Sequence, residues 1–191
     1  PTRTAKFFLA EAWSKDIVVK TQSAFEVLAE QFAQQRGDAQ VADANQAAMQ
    51  LQEGDLAFID PPYSGVHYSR FYHVLETIAR GACGSVSGTG RYPPKTERPV
   101  SSFSRKGESL KALKKLLSRL GKSGCKVIFT FPSGKCSNGL SGSIVEQCAE
   151  ENFRIKRRYV KTLFSTLGGN TEIRESRKPT RELMLLLSPK G

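Results

Sequence analysis

Gly54-Asp55-Leu56-Ala57-Phe58-Ile59-Asp60-Pro61-Pro62-Tyr63 is the stretch on which the reading of this chain turns. Gly54-Asp55 punctuates, and Leu56 to Ile59 is an apolar run of strand length. An acid, two prolines and an aromatic follow at once. Pro61 and Pro62 forbid helix and remove two N–H donors, so the turn is stiff and its carbonyls need partners outside a backbone ladder. In an open α/β sheet, ligands bind at the carboxyl end of such a strand. The Asp60 carboxylate and the Pro61 carbonyl are both acceptors. Aimed at an exocyclic amine whose lone pair is delocalised into its ring, they would orient it and stabilise the charge that develops. Tyr63 would stack on the base, worth about 1–3 kcal/mol, which offsets the cost of flipping that base from a duplex. An ordinary Asp-Pro turn explains Pro61 but not the whole tetrad.

Outward from this turn the chain alternates. Phe25, Leu28, Ala29, Phe32 and Ala33 recur at helical spacing, as do Phe71, Val74, Leu75, Ile78 and Ala79. Leu110, Leu113, Leu116, Leu117 and Leu120 make a third stripe, with Lys111, Lys114, Lys115 and Arg119 opposite. Ser143 and Glu146 have the spacing of a capping box opening a helix over Ile144, Val145, Cys148 and Ala149. Strands are expected at Val127–Phe131, Ile155–Leu163 and Glu182–Leu187. Strand, helix, strand, helix, strand predicts an α/β fold, a parallel sheet with helices on its faces. The last two strands suit an antiparallel hairpin.

Charge is spread unevenly. Residues 1–60 hold 5 basic and 9 acidic side chains, net −4, whereas residues 91–126 hold 11 and 2, net +9, and residues 154–181 hold 9 and 2, net +7. A solubilising surface is one explanation. Two concentrated basic segments after the Asp-Pro-Pro-Tyr turn argue for a polyanion that releases counterions on contact. The candidates are Arg91, Arg98, Arg105 and Lys106 in the Gly/Ser/Pro-rich segment 82–107, and Arg174, Arg177 and Lys178 in a second irregular segment. Arg157 and Arg158 read equally well as solvated strand residues. A loop as long as 82–107 in a compact domain is usually functional or disordered, and this one is expected to be a DNA-contacting insert.

Asp60-Pro61-Pro62-Tyr63 resembles the catalytic motif of amino-group DNA methyltransferases, and Asp in its first position resembles the adenine-specific branch. Ser64 to Glu76 is similar to a bacterial adenine-specific DNA methylase family, and so, more weakly, are Phe103-Ser104-Arg105-Lys106 and Ser137-Asn138-Gly139-Leu140. The resemblance runs from about Asp43 to the C-terminus. It implies a Rossmann-like class I methyltransferase sheet, here its C-terminal portion with an antiparallel hairpin. It also implies S-adenosylmethionine (SAM) as cofactor, DNA as partner, and methyl transfer to N6 of a flipped adenine. Asp60 and Pro61 would hold the amine, with Pro62 and Tyr63 completing the site. An RNA or protein-amide substrate is a lesser variant.

The same resemblance implies a Gly-rich SAM turn after a first strand, and no Phe-x-Gly-x-Gly occurs in this chain. Gln40 to Asn45 is the candidate remnant. There Asp43 or Asn45 would meet the cofactor adenine, or an Asx cap would open a helix from Gln46 to Leu51. The chain also begins at Pro1, so a fragment is expected, with an upstream segment or second subunit supplying the cofactor half. The alternative is a non-catalytic DNA-binding or interaction module derived from a methyltransferase.

Composition bounds the remainder. A single domain over residues 1–191 would bury about 70% of its unfolded surface. No apolar stretch approaches the ~20 residues of a membrane span, and a cytoplasmic setting is expected. Cys83, Cys125, Cys136 and Cys148 lack paired short spacing, as reduced thiols would. His67 and His73 have no ligand partner at metal spacing, so no metal is expected. Ser133 to Gly139 reads either as a loop at the substrate edge or as a plain connection.

Overall fold

A computed structural model describes residues 14, 16–31, 33–70, 72–89, 91–165 and 177–190, with backbone alone for 163–165 and 177–178. The chain divides into two units, residues 1–41 with 163–178, and residues 42–162 with 179–191.

In the first unit, helix α1 (Ile17–Ala29) opens where the Asp16 carboxylate accepts from the N–H groups of Val18 and Val19 at 2.8 and 3.4 Å. The apolar stripe predicted through Phe32 and Ala33 stops short, because the chain leaves the helix at Glu30. Phe25 and Leu28 lie exposed rather than in a core.

The second unit holds the sheet. Its elements are α2 (Ala44–Ala47), β1 (Leu56–Ile59), α3 (His73–Arg80), α4 (Ser109–Ser123), β2 (Lys126–Pro132), α5 (Gly142–Glu150), β3 (Phe153–Ser165) and β4 (Arg177–Pro189), the last two reaching into residues of the first unit. The four strands lie in the order β1-β2-β4-β3. β1 and β2 are parallel, with Leu56 opposite Lys126 and Ile59 opposite Phe129. β4 runs antiparallel to β2, with Val127 opposite Leu187 and Pro132 opposite Glu182. The Lys190 N–H donates to the Asn152 carbonyl at 3.2 Å, so the end of β4 meets the start of β3, as in an antiparallel hairpin. The architecture is therefore mixed α/β, and the sheet is mixed rather than wholly parallel.

α4 carries the crossover between the two parallel strands. Its stripe buries Leu113, Leu116, Leu117 and Leu120 against Val127, Phe129 and Phe131 of β2 and Leu183, Leu185 and Leu187 of β4, each almost wholly inaccessible. Full burial of one such leucine contributes about 1.5–3 kcal/mol. Leu110, expected in the stripe, sits at the helix entrance and is 44% exposed. Gly124 ends α4 with φ +77°, a left-handed conformation that glycine adopts without a Cβ penalty.

Two expectations change. The capping box on Ser143 and Glu146 is not formed. Ser141 is the N-cap of α5, accepting from the Ile144 N–H at 3.3 Å, and Glu146 instead pairs with Arg157 on β3 at 2.6 Å. Helices were also expected on both faces of the sheet. Among the described residues only one face is covered, and on the other Phe58, Ile128 and Leu186 form a cross-strand row with Phe58 66% exposed. α3 likewise leaves Val74, Leu75 and Ile78 exposed.

Candidate active site

The parallel pairing of β1 and β2 brings their carboxyl ends to one edge, so residues 60–66 and 133–140 lie side by side. Asp60 follows Ile59 by one position, opposite Thr130 on the neighbouring strand. The Thr130 hydroxyl donates to Asp60 Oδ1 at 3.1 Å, while Asp60 itself remains exposed. The carboxylate is thereby held from below and open toward solvent. A threonine in the otherwise apolar run Val127–Phe131 was the sequence signal for this contact.

Asn138 fixes the prolines. Its side chain is wholly buried, and Nδ2 donates both to the Pro62 carbonyl at 2.9 Å and to the Phe103 carbonyl at 3.0 Å. Its Oδ1 accepts from the Leu140 N–H at 3.2 Å, and the Ser109 hydroxyl donates to its carbonyl at 2.8 Å. A carboxamide has two donor hydrogens, and both are used. The turn, the end of the 82–107 segment, the start of α4 and the 133–140 loop are thus tied through one residue. Beside it, the Gly65 N–H donates to Ser137 Oγ at 2.9 Å. A Cβ on Gly65 would approach the Ser137 carbonyl oxygen to 3.2 Å, so the two loops meet at a distance that suits glycine.

Pro61 is buried, and Pro62 and Tyr63 are half-buried. The Tyr63 ring stands edge-on to Tyr68 at 6.4 Å between centroids, and Tyr68 is tilted against Tyr72 at 5.6 Å. The Tyr68 hydroxyl is pushed up to about 12 by burial first, then by Tyr63 and the Asp60 charge. It stays protonated and remains a donor beside the Asp60 carboxylate.

Asp43 takes the cap geometry. Its carboxylate accepts from the N–H groups of Asn45 and Gln46 at 2.9 and 3.2 Å, opening α2. Asn45 is 8% exposed, and its Oδ1 has no hydrogen-bond partner among the described residues. A buried orphan acceptor costs about 1–3 kcal/mol, and an incoming N–H donor would remove that cost. The Arg119 guanidinium donates to the Asn45 carbonyl, so this charge on α4 braces α2 rather than lying free in solvent.

The basic candidates separate into groups. Arg91 and Arg98 line one cavity of about 550 Å³ with Tyr68, Tyr72, His73 and residues 82–86. Arg105 pairs with Glu108 at 2.8 Å. Lys106 packs its stem by Gly139, whose added Cβ would meet Lys106 Cγ at 3.0 Å. Arg177 and Lys178 lie on β4 by backbone, their side chains beyond what the structure describes, and Arg174 falls outside the described residues. Thr130, Tyr92 and Arg70 escaped the sequence reading, because their roles come from partners distant in the sequence, whereas Tyr68, expected to line the base pocket, stands against Tyr63.

The site is thus an acidic acceptor at the carboxyl edge of a parallel pair, on a proline-stiffened turn backed by tyrosines. Residues 18–122 match the family of D12 class N6 adenine-specific DNA methyltransferases, and the chain belongs to that family. It is also similar to modification methylase LlaI of Lactococcus lactis subsp. lactis, at 46% identity over 57 residues. That match takes in 29% of this chain and 9% of the relative's length. No solved structure matches the chain.

Proposed function

We propose that this chain carries the adenine-holding half of a SAM-dependent N6 methyltransferase acting on DNA, built on the C-terminal part of a Rossmann-like sheet. The observation that carries the reading is the Asp60 carboxylate, oriented by Thr130 at 3.1 Å and open at the edge where β1 and β2 end. Family membership and the LlaI match support it.

In this reading the target adenine is flipped from the duplex, and its amine meets the Asp60 carboxylate and the Pro61 carbonyl. Two acceptors on the two amine hydrogens draw the nitrogen lone pair away from ring conjugation and stabilise the positive charge that grows on nitrogen. Asp60 is placed to hold the proton that the amine sheds. Pro62 has its carbonyl committed to Asn138, so it stiffens the turn rather than binding the base. Tyr63, braced edge-on by Tyr68, supplies the stacking face. SAM, when bound, supplies an electrophilic methyl. Asn45, with its buried orphan Oδ1, would accept from the cofactor's adenine amine, and Asp43 would shape that turn by capping α2. The absence of a Phe-x-Gly-x-Gly turn from this chain leaves the rest of the cofactor's contacts to an upstream segment or a second subunit.

The same absence favours one other reading, a DNA-binding module that keeps the base pocket without the cofactor half. Calorimetry with SAM separates the two, since tight binding by this chain excludes the module. For the enzyme, Asp60→Ala should abolish methyl transfer to duplex DNA while DNA binding persists. Methylation that survives the substitution would sink the proposal.

A further inference from the structure

The segment 82–107 is ordered against α3 through a cluster that the adenine site does not use. Its tip is a small hairpin: the Ser87 N–H donates to the Tyr92 carbonyl at 2.7 Å and the Tyr92 N–H returns to Ser87 at 3.1 Å. Arg91 turns the chain with φ 47°, a left-handed conformation uncommon for a side-chain-bearing residue, which fixes the direction in which Tyr92 leaves the turn. Tyr92 then collects cations. The Arg70 guanidinium lies 4.9 Å from its ring centroid and that of Arg98 lies 5.4 Å from it, while the His73 ring stands T-shaped at 5.0 Å. Arg98 is further fixed by donating from Nε to the Pro93 carbonyl at 2.7 Å. Two guanidiniums, from Arg70 and Arg98, therefore meet at the Tyr92 ring, and Arg98 with Arg91 lines the adjoining cavity. Of the lining acids, Glu76 is bound to Arg80 at 3.1 Å, which leaves Glu97.

We propose that Arg70 and Arg98, organised around Tyr92, form a clamp for a phosphodiester of the DNA strand beside the target adenine. The proposal rests on the DNA reading above and deepens it. A guanidinium held over an aromatic ring turns its terminal N–H groups outward, and these match two oxygens of one phosphate. Holding two like charges against one ring costs energy that a received anion removes, and the Tyr92 π-face offsets part of that cost. The location fits a flanking phosphate, because Tyr68 lines this cavity and also stands against Tyr63 of the adenine site. Tyr92 is a positioning residue, since its ring is occupied by the arginines rather than offered to a base.

The test is the salt dependence of duplex DNA binding by the full chain, measured in the Asp60→Ala background as well as in the unsubstituted protein. Arg70→Gln and Arg98→Gln should each lower the slope of log Kobs against log salt by about 1, as loss of one phosphate contact does. Tyr92→Ala should lower it to a similar extent, and Tyr92→Phe, which keeps the ring, should restore it. Arg70 is exposed and Arg98 half-buried, so the denaturation midpoint of each variant is compared with that of the unsubstituted chain, and Tyr92→Phe controls for Tyr92. An unchanged slope in Arg70→Gln/Arg98→Gln overturns the clamp while leaving the methyltransferase reading intact. A lowered slope together with methylation that survives Asp60→Ala overturns that reading and leaves the clamp. Tighter binding of a structured RNA with the same arginine dependence overturns the assignment to DNA.

Discussion

Replacing Asn138 by alanine should show how much of the site depends on one buried amide. The substitution removes both donors that satisfy the carbonyls of Pro62 and Phe103, at 2.9 and 3.0 Å, and the acceptor for the Leu140 N–H. A buried polar group left without its partner costs about 1–3 kcal/mol. Asn138 is inaccessible, and the Phe103 contact is buried while the Pro62 contact is only partly so. Two orphaned carbonyls then give a loss of about 2–5 kcal/mol, reduced wherever a water enters to replace the amide. Asn138→Asp should be worse at the same volume, because it turns a carboxylate toward two carbonyl oxygens. The assay is equilibrium denaturation with the midpoint and slope followed separately, so that a stability change is distinguished from a change in compactness. Where the cofactor half is supplied and methyl transfer is measurable, the relaxed Pro61-Pro62 turn should lower the rate by up to about 100-fold, as a 1 Å misplacement does. An Asn138→Ala protein within about 0.5 kcal/mol of the unsubstituted chain, the range of ordinary surface changes, would refute the reasoning.

Tyr68 should ionise well above the ordinary tyrosine value. Its ionisation is raised from 10.0 to about 12, so the fold favours the protonated hydroxyl. The associated stability is fully present below pH 10 and is lost as pH rises through about 12, and Tyr68→Phe should flatten that decline. Tyrosinate absorbance checks this, and a titration complete near pH 10 would contradict it. The two faces of the sheet should also respond differently to truncation. Phe129→Ala, in the covered core, should cost about 3–5 kcal/mol, whereas Phe58→Ala, 66% exposed on the open face, should cost about 0.5 kcal/mol or less in thermal or chemical denaturation.

The sequence was most legible where local signals agreed. Leu56–Ile59 is a strand with the predicted bounds, because Gly54-Asp55 and Pro61 limit it from both sides. The α4 stripe is buried where its helical spacing required, apart from Leu110 at the helix entrance. Local rules failed where a neighbour intervened. Ser143 and Glu146 match the capping-box spacing, yet Ser141 takes the cap and Glu146 is drawn to Arg157 across the fold. α3 has an apolar stripe, yet its His73, Glu76, Thr77 and Arg80 line the cavity while Val74, Leu75 and Ile78 face outward.

By itself the sequence determined the chemistry on offer. An acid before two prolines and a tyrosine at a strand's end is a covalent fact of the chain, and its stiffness follows from proline's fixed φ and missing N–H. Which groups hold that turn was decided only by tertiary structure. The parallel register sets Thr130 under Asp60, the burial of Asn138 spends its two hydrogens on Pro62 and Phe103, and the hairpin at Ser87–Tyr92 carries a ring to Arg70 and Arg98. Each of these contacts is a hydrogen bond or ring contact of short range. Only folding brings such residues within that range, because Thr130 and Asn138 lie 70 and 76 positions from their partners in the turn.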